Sequence, residues 1–220
     1  MDEQGYGNKI RQEIESIPYG VAIFSDQIAR SLAEQLSISI EKAQKMTNLN
    51  LKRLADRNKI ARLKKGVYFR AKNTIFGITE PNIDNVLIQI LTIDGEEVIG
   101  YETGASFLNQ IGLTTLIPRV KEIATNGYRR KIDPNCHIVT KKPVVKITTS
   151  NYMYLQILDA LQGLQTSHID ANNPYLIVNE FIVIHKLDRL KLISFAWKYY
   201  NQRTIQKLLE VIFEVNDENS

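Results

Sequence analysis

Side chains able to do chemistry are few in this sequence, and their spacing works against them. The three histidines, His137, His168 and His185, are scattered, and no two have the four-residue step that brings two imidazoles to one metal on a helix. Cys136 and His137 are adjacent, so on a strand they face opposite sides and cannot form a nucleophile and base pair. Cys136 reads instead as a small hydrophobe. His168 and Asp170 would share a face if extended, but "GLQTSHIDANN" reads as a loop. The carboxylate pairs Glu96–Glu97 and Glu13–Glu15 fall in a turn and on a helix surface, with no third acidic ligand or strand-end lysine to complete a two-metal site. Neither "YETGAS" nor "ALQGLQ" has the glycine spacing of a phosphate loop, and "GxxxxGK" does not occur. The expectation is a protein that is not an enzyme, with no catalytic residue, no metal and no cofactor.

Charge placement points to a different chemistry. Residues 41–72 hold eleven Lys or Arg against two acids, while the rest of the chain has 17 basic and 22 acidic residues, a balance of −5. A local excess of this size is an electrostatic footprint for nucleic acid. It lies on a long periodic segment and on "RLKKGVYFR", where Gly66 suits the bend of a hairpin. A helix entering the major groove offers the side chains of its N-terminal half to base edges. Ser39, Lys42, Gln44, Lys45 and Asn48 are the candidates for that role, with Lys52 and Arg53 further along towards phosphates. Arg62, Lys64 and Lys65 flank the hairpin bend, where each contacted phosphate would displace a counterion. Strand alternation turns Tyr68 outward and uses Val67 and Phe69 to attach the hairpin to the helical body.

Three helices and a hairpin must position these groups. "KIRQEIESI" repeats Ile10, Ile14 and Ile17 on one face of a helix from Lys9 to Ile17, ended by Pro18, and the first eight residues are expected to fray. "VAIF" is a short strand or connector. Ser25 is a good N-cap for a helix carrying Ile28, Leu32 and Leu36, and Ser39 caps the basic helix, which runs to about Arg57. Three helices followed by a hairpin make a winged helix-turn-helix over residues 9–72. A linker near 73–80 leads to a second domain, 80–214, in which helices alternate with β-branched runs: "TTLIPRVKEIATN", "YRRKID", "HIVTK" and "PVVKITT". A small, mostly antiparallel sheet fits that alternation. "NYMYLQILDALQGL" is strongly helical, and two further helical stretches follow with a break near "YYNQR". In "FAWKYY" the aromatics read as core packing beside a solvated Lys198, or as an interface anchor. The fold class is therefore α+β: a winged helix-turn-helix followed by a mixed α/β domain with C-terminal helices.

With one cysteine the chain has no internal disulfide, which fits the cytoplasm, and no apolar run reaches membrane-spanning length, so no membrane partner is expected. "LKRLADRNKIARLKKGVYFR" resembles the winged-helix signature of the AbiEi-type antitoxin and transcriptional-regulator superfamily, and within it a group of two-domain winged-helix proteins. The resemblance continues through "GYETGASFLNQIGLTTLIP", "EIATN" and "KITTSNYMYLQILDALQGL", and departs from the family pattern at Tyr200, Asn201 and Gln202. It implies a bacterial protein whose second domain is antitoxin-like and which binds inverted repeats in its own promoter, in some members counteracting a toxin. The implied DNA contacts are Lys42, Lys45, Lys52, Arg53, Arg62, Lys64 and Lys65. The implied partners are double-stranded DNA, a cognate toxin protein and, for a two-fold operator, a second copy of the chain. The alternative is a protein-binding antitoxin or adaptor whose C-terminal domain docks or neutralises a partner.

Overall fold

The computed structural model describes residues 3–75, 77–128, 136–164 and 168–217. Helix α1 spans Glu3–Ser16 and buries Ile10 and Ile14. It starts earlier than its isoleucine stripe suggests because Tyr6 is buried too and extends the apolar face by a turn. Strand β1 (Ala22–Phe24) leads directly into α2 (Ser25–Leu36), with Ile28, Ala29 and Leu32 inside. Ser25 is not the N-cap: Phe24 holds that place, and the Ser25 N–H is donated to the Gly66 carbonyl at 2.9 Å. Ser37, in a left-handed conformation at φ 50, ends α2 and turns the chain into α3 (Ile40–Asp56). The Ser39 hydroxyl caps α3 by accepting from Lys42 N at 3.3 Å.

The hairpin follows as β2 (Ala61–Lys64) and β3 (Val67–Phe69), and β3 lies between β1 and β2 in an antiparallel sheet. Element order and strand order together are those of a winged helix-turn-helix. Central placement of β3 overturns the expected orientation of its side chains. Tyr68 pairs with Ile23 and Arg62 across the sheet and belongs to the helical core with Ile10, Ile28, Leu32 and Leu51. Val67 and Phe69 take the other face by alternation and are also buried, so β3 has no outward side.

Beyond the sheet, β4 (Asn73–Thr74) and β5 (Gly77–Ile78) form a short ladder, and α4 covers Ile83–Thr92. The chain divides into two compact units, Met1–Val86 and Leu87–Ser220, with the dividing line inside α4, further along than the segment 73–80.

In the second unit a tight hairpin, β6 (Ile93–Asp94) and β7 (Glu97–Val98), precedes β8 (Gly100–Thr103) and α5 (Gly104–Gln110). Strands β9 (Lys121–Thr125) and β10 (Ile138–Lys141) complete a sheet ordered β10-β9-β8. It is mixed rather than mostly antiparallel, since β9 pairs antiparallel with β8 and parallel with β10. The run "YRRKID" beyond Tyr128 lies outside the described residues. "PVVKITT" forms no strand. The Asn126 side-chain amide pairs with both the N–H and the carbonyl of Ile147, at 2.9 and 2.8 Å, so one side chain stands in for a neighbouring strand.

Four helices close the unit: α6 (Tyr152–Gly163), α7 (Pro174–Ile184), α8 (Arg189–Tyr199) and α9 (Gln202–Asp217). The last three replace the two stretches expected. Lys186 adopts φ 50, and the Asp188 carboxylate caps α8 by accepting from Lys191 N at 3.0 Å. Leu108, Leu158, Leu161, Val178, Leu192 and Leu208 form the core of this helical layer.

Candidate nucleic-acid interface

Helix α3 is phased by Ala43, Thr47 and Leu51, which are fully buried and fix which sides of the helix are left for function. Gln44, Asn48 and Lys52 follow one another at four-residue steps along the side that faces the hairpin. Across from them stand Arg62, Lys65 and Gly66 of the wing. Together they line a groove of about 660 Å³, with Tyr68 and Ala55 below and Asp56 as the acid among three cations. Gly66 has φ 77, a conformation that a side chain would strain, and a Cβ there would come 3.2 Å from the Ser25 hydroxyl.

Polar groups inside the groove are oriented before any ligand arrives. Gln44 Nε2 donates to Asn48 Oδ1 at 3.1 Å and to the Ser25 carbonyl at 3.5 Å. Arg62 Nε donates to the Lys64 carbonyl at 3.4 Å, which lays the guanidinium along the hairpin. Five of the sequence candidates are thus gathered in one place: Gln44, Asn48, Lys52, Arg62 and Lys65. Lys45 is exposed on the next face of α3, in a shallow depression with Ile40, Glu41, Gln44 and Asn48, and Lys64 is exposed on β2.

Three candidates sit elsewhere. Ser39 spends its hydroxyl on the cap. Lys42 extends over the Tyr6 ring at 5.8 Å from its centroid, and Arg53 shares a cleft with Gly7, Asn8 and Arg11; both therefore face α1. Sequence reading missed Ile40 and Leu49, which are 49% and 39% exposed on α3. Apolar groups on such a helix suit thymine methyls. Their signal was present as apolar residues out of phase with Ala43, Thr47 and Leu51.

A family model described as a family of unknown function, DUF6088, matches residues 9–180. The chain belongs to that family. No curated protein matches it. The DUF6088 match takes in the winged unit from α1 onward and the second unit as far as α7, so the groove and both of its walls lie within it.

The second unit of this DUF6088 protein contains a polar cluster with no counterpart among the sequence candidates. Asp159, on α6, is 6% exposed. Its Oδ2 accepts from Tyr101 OH at 3.2 Å, Thr103 Oγ1 at 3.3 Å and Lys141 Nζ at 3.3 Å, and its Oδ1 accepts from Tyr200 OH at 2.9 Å. Burial, reinforced by the Asp159 charge, pushes both tyrosine hydroxyls far above their ordinary range. Neither hydroxyl is an acid or base near neutral pH, and the cluster reads as a satisfied buried network.

The other sequence candidates for chemistry resolve locally. The Asp170 carboxylate accepts from Thr115 N and from the Thr115 hydroxyl, and these bonds hold its pKa below the usual carboxylate value. Among the described residues no group of three or more His, Cys, Asp or Glu is placed to hold a metal ion, and no helix is long and apolar enough to cross a membrane. Trp197 is 67% exposed rather than packed in the core, because Leu192 and Ala196 set the inward face of α8.

Proposed function

We propose that this protein is a sequence-specific DNA-binding transcriptional regulator that represses its own operon, acting in the cytoplasm as the antitoxin of a toxin-antitoxin pair and not as an enzyme. The observation that carries the reading is the groove between α3 and the wing, where two side-chain amides and three cations face a common space. Amides suit adenine edges and cations suit phosphates and guanine, so both sequence readout and backbone holding have their groups. The resemblance to AbiEi-type regulators supports the same assignment.

The test is a mobility shift and footprint on the DNA upstream of the gene. The intact chain should protect a discrete site there, and Lys52→Glu with Arg62→Glu and Lys65→Glu, the three cations of the groove, should abolish the shift while leaving the circular dichroism spectrum unchanged. Retention of the site by that triple variant would remove the groove from the reading.

One observation favours protein docking as a second activity. Leu190 and Trp197, seven residues apart on α8 and so on one face, are 79% and 67% exposed. On this reading the product of the adjacent reading frame co-purifies with the full chain and is lost with Trp197→Asp.

A further inference from the structure

The α3–wing groove accounts for only part of the basic stretch. Arg57 lies nine residues, about two and a half turns, beyond Asn48, so it leaves α3 on the opposite side. There Arg57, Lys59 and Arg70 meet Arg11 of α1 around a separate cleft of about 510 Å³, a size suited to a small molecule. Arg53 lines an adjoining depression that shares Arg11 and Arg57.

Two features argue that this cleft is built to receive an anion. Cations in the last turn of α3 offset the helix dipole, which explains Arg53 and Arg57, and Arg70 does the same at the end of α1; neither explains Arg11 and Lys59, which add two more cations from other parts of the chain. Arg70 is also fixed in place. Its Nη1 donates to the carbonyls of Glu15 and Ile17 at 2.8 and 2.9 Å, and its guanidinium lies 4.1 Å from the centroid of the Tyr19 ring. Glu15 is the one carboxylate in the cleft lining among the described residues, leaving three positive charges in excess. A single phosphate group, at about −1.5 to −2, offsets too little of that excess, and two offset it. Leu54 and the half-exposed Tyr19 ring add an apolar wall, with Ile14 and Ile60 buried behind it.

We propose that this cleft binds a small ligand with two adjacent phosphate groups on an apolar or planar body, the class of a nucleoside diphosphate. The site is concave, lies on the far side of α3 from the groove and shares no lining residue with it.

The test is calorimetric titration of the full chain with pyrophosphate and with ADP at about 0.15 M salt, where only close charges are felt strongly. Both should bind, with ADP tighter because of the apolar wall. Arg57→Ala with Lys59→Ala should weaken ADP at least about tenfold, and Lys52→Ala with Lys65→Ala should leave it unchanged. Arg57 and Lys59 are both exposed, and Arg11→Ala, also exposed, gives an independent reading in the same direction. The proposal is overturned by no binding of either probe at millimolar concentration, by ADP no tighter than pyrophosphate, or by unchanged ADP affinity in both cleft variants. It is equally overturned if the Arg57/Lys59 variant loses a short duplex as fully as the Lys52/Lys65 variant does, which would make this face a DNA-backbone surface.

Discussion

The division of basic residues between the two sides of α3 sets a quantitative expectation for the salt dependence of DNA binding. Lys52, Arg62 and Lys65 line the groove, and Lys45 and Lys64 are exposed beside it. Five phosphate contacts give a slope of log K against log salt of about −4.5, so affinity for a duplex should fall about 500-fold between 50 and 200 mM salt. Arg62→Ala with Lys65→Ala removes two contacts, reducing the slope to about −2.7 and the fall to about 40-fold. Lys42→Ala with Arg53→Ala removes as much charge but from the α1 side, and should leave the slope as it was. Fluorescence anisotropy of a labelled upstream duplex over a salt series measures all three. Equal slopes for the two double variants would show that net charge, and not the groove, holds the DNA, and the structural assignment would be refuted.

Two further expectations concern the second unit. Asp159→Ala removes the carboxylate that accepts from the Tyr101 and Thr103 hydroxyls and from Lys141, while Tyr200 OH keeps the Leu155 carbonyl at 3.1 Å, and should destabilise the unit by about 3–5 kcal/mol in urea unfolding, with hydrogen exchange placing the loss at α6; a change below about 1 kcal/mol would deny the cluster a stabilising role. Asp170 has its folded pKa depressed by Thr115, so its contribution is present above the unfolded value, about 3.9, and disappears as pH falls through the lower folded value. Protection of the Thr115 amide, corrected for intrinsic exchange, should therefore decline in acid in the native chain, and Asp170→Asn should flatten that decline.

The winged unit was legible because its signals are local and repeat. Ile10, Ile14, Ile28 and Leu32 keep helical spacing and are all buried, and Ser39 caps as its position implies. What escaped depended on partners distant in sequence. Tyr68 is buried because β3 is flanked on both edges, and Ser25 does not cap because α2 already begins at it, with Phe24 in the cap position and the Ser25 N–H donated to Gly66, 41 residues away. Asp159 offered no signal at all: an acid between Leu158 and Ala160 resembles a solvated helix position until Tyr101 and Tyr200 arrive from elsewhere in the chain. "PVVKITT" misled because β-branched composition cannot foretell that Asn126 will take the backbone of Ile147.

The bond from Ser25 to the Gly66 carbonyl has a mechanical meaning for whatever occupies the groove. Hairpins of this kind are often pictured as arms that swing onto a ligand. Here the tip is tethered to the first residue of α2, the same residue whose carbonyl accepts from Gln44 on the opposite wall. The two walls are therefore joined through one residue, which sets their spacing. A duplex entering the groove must supply the adjustment, through its own bendability and groove width, so discrimination among sequences would extend to base steps that no side chain touches.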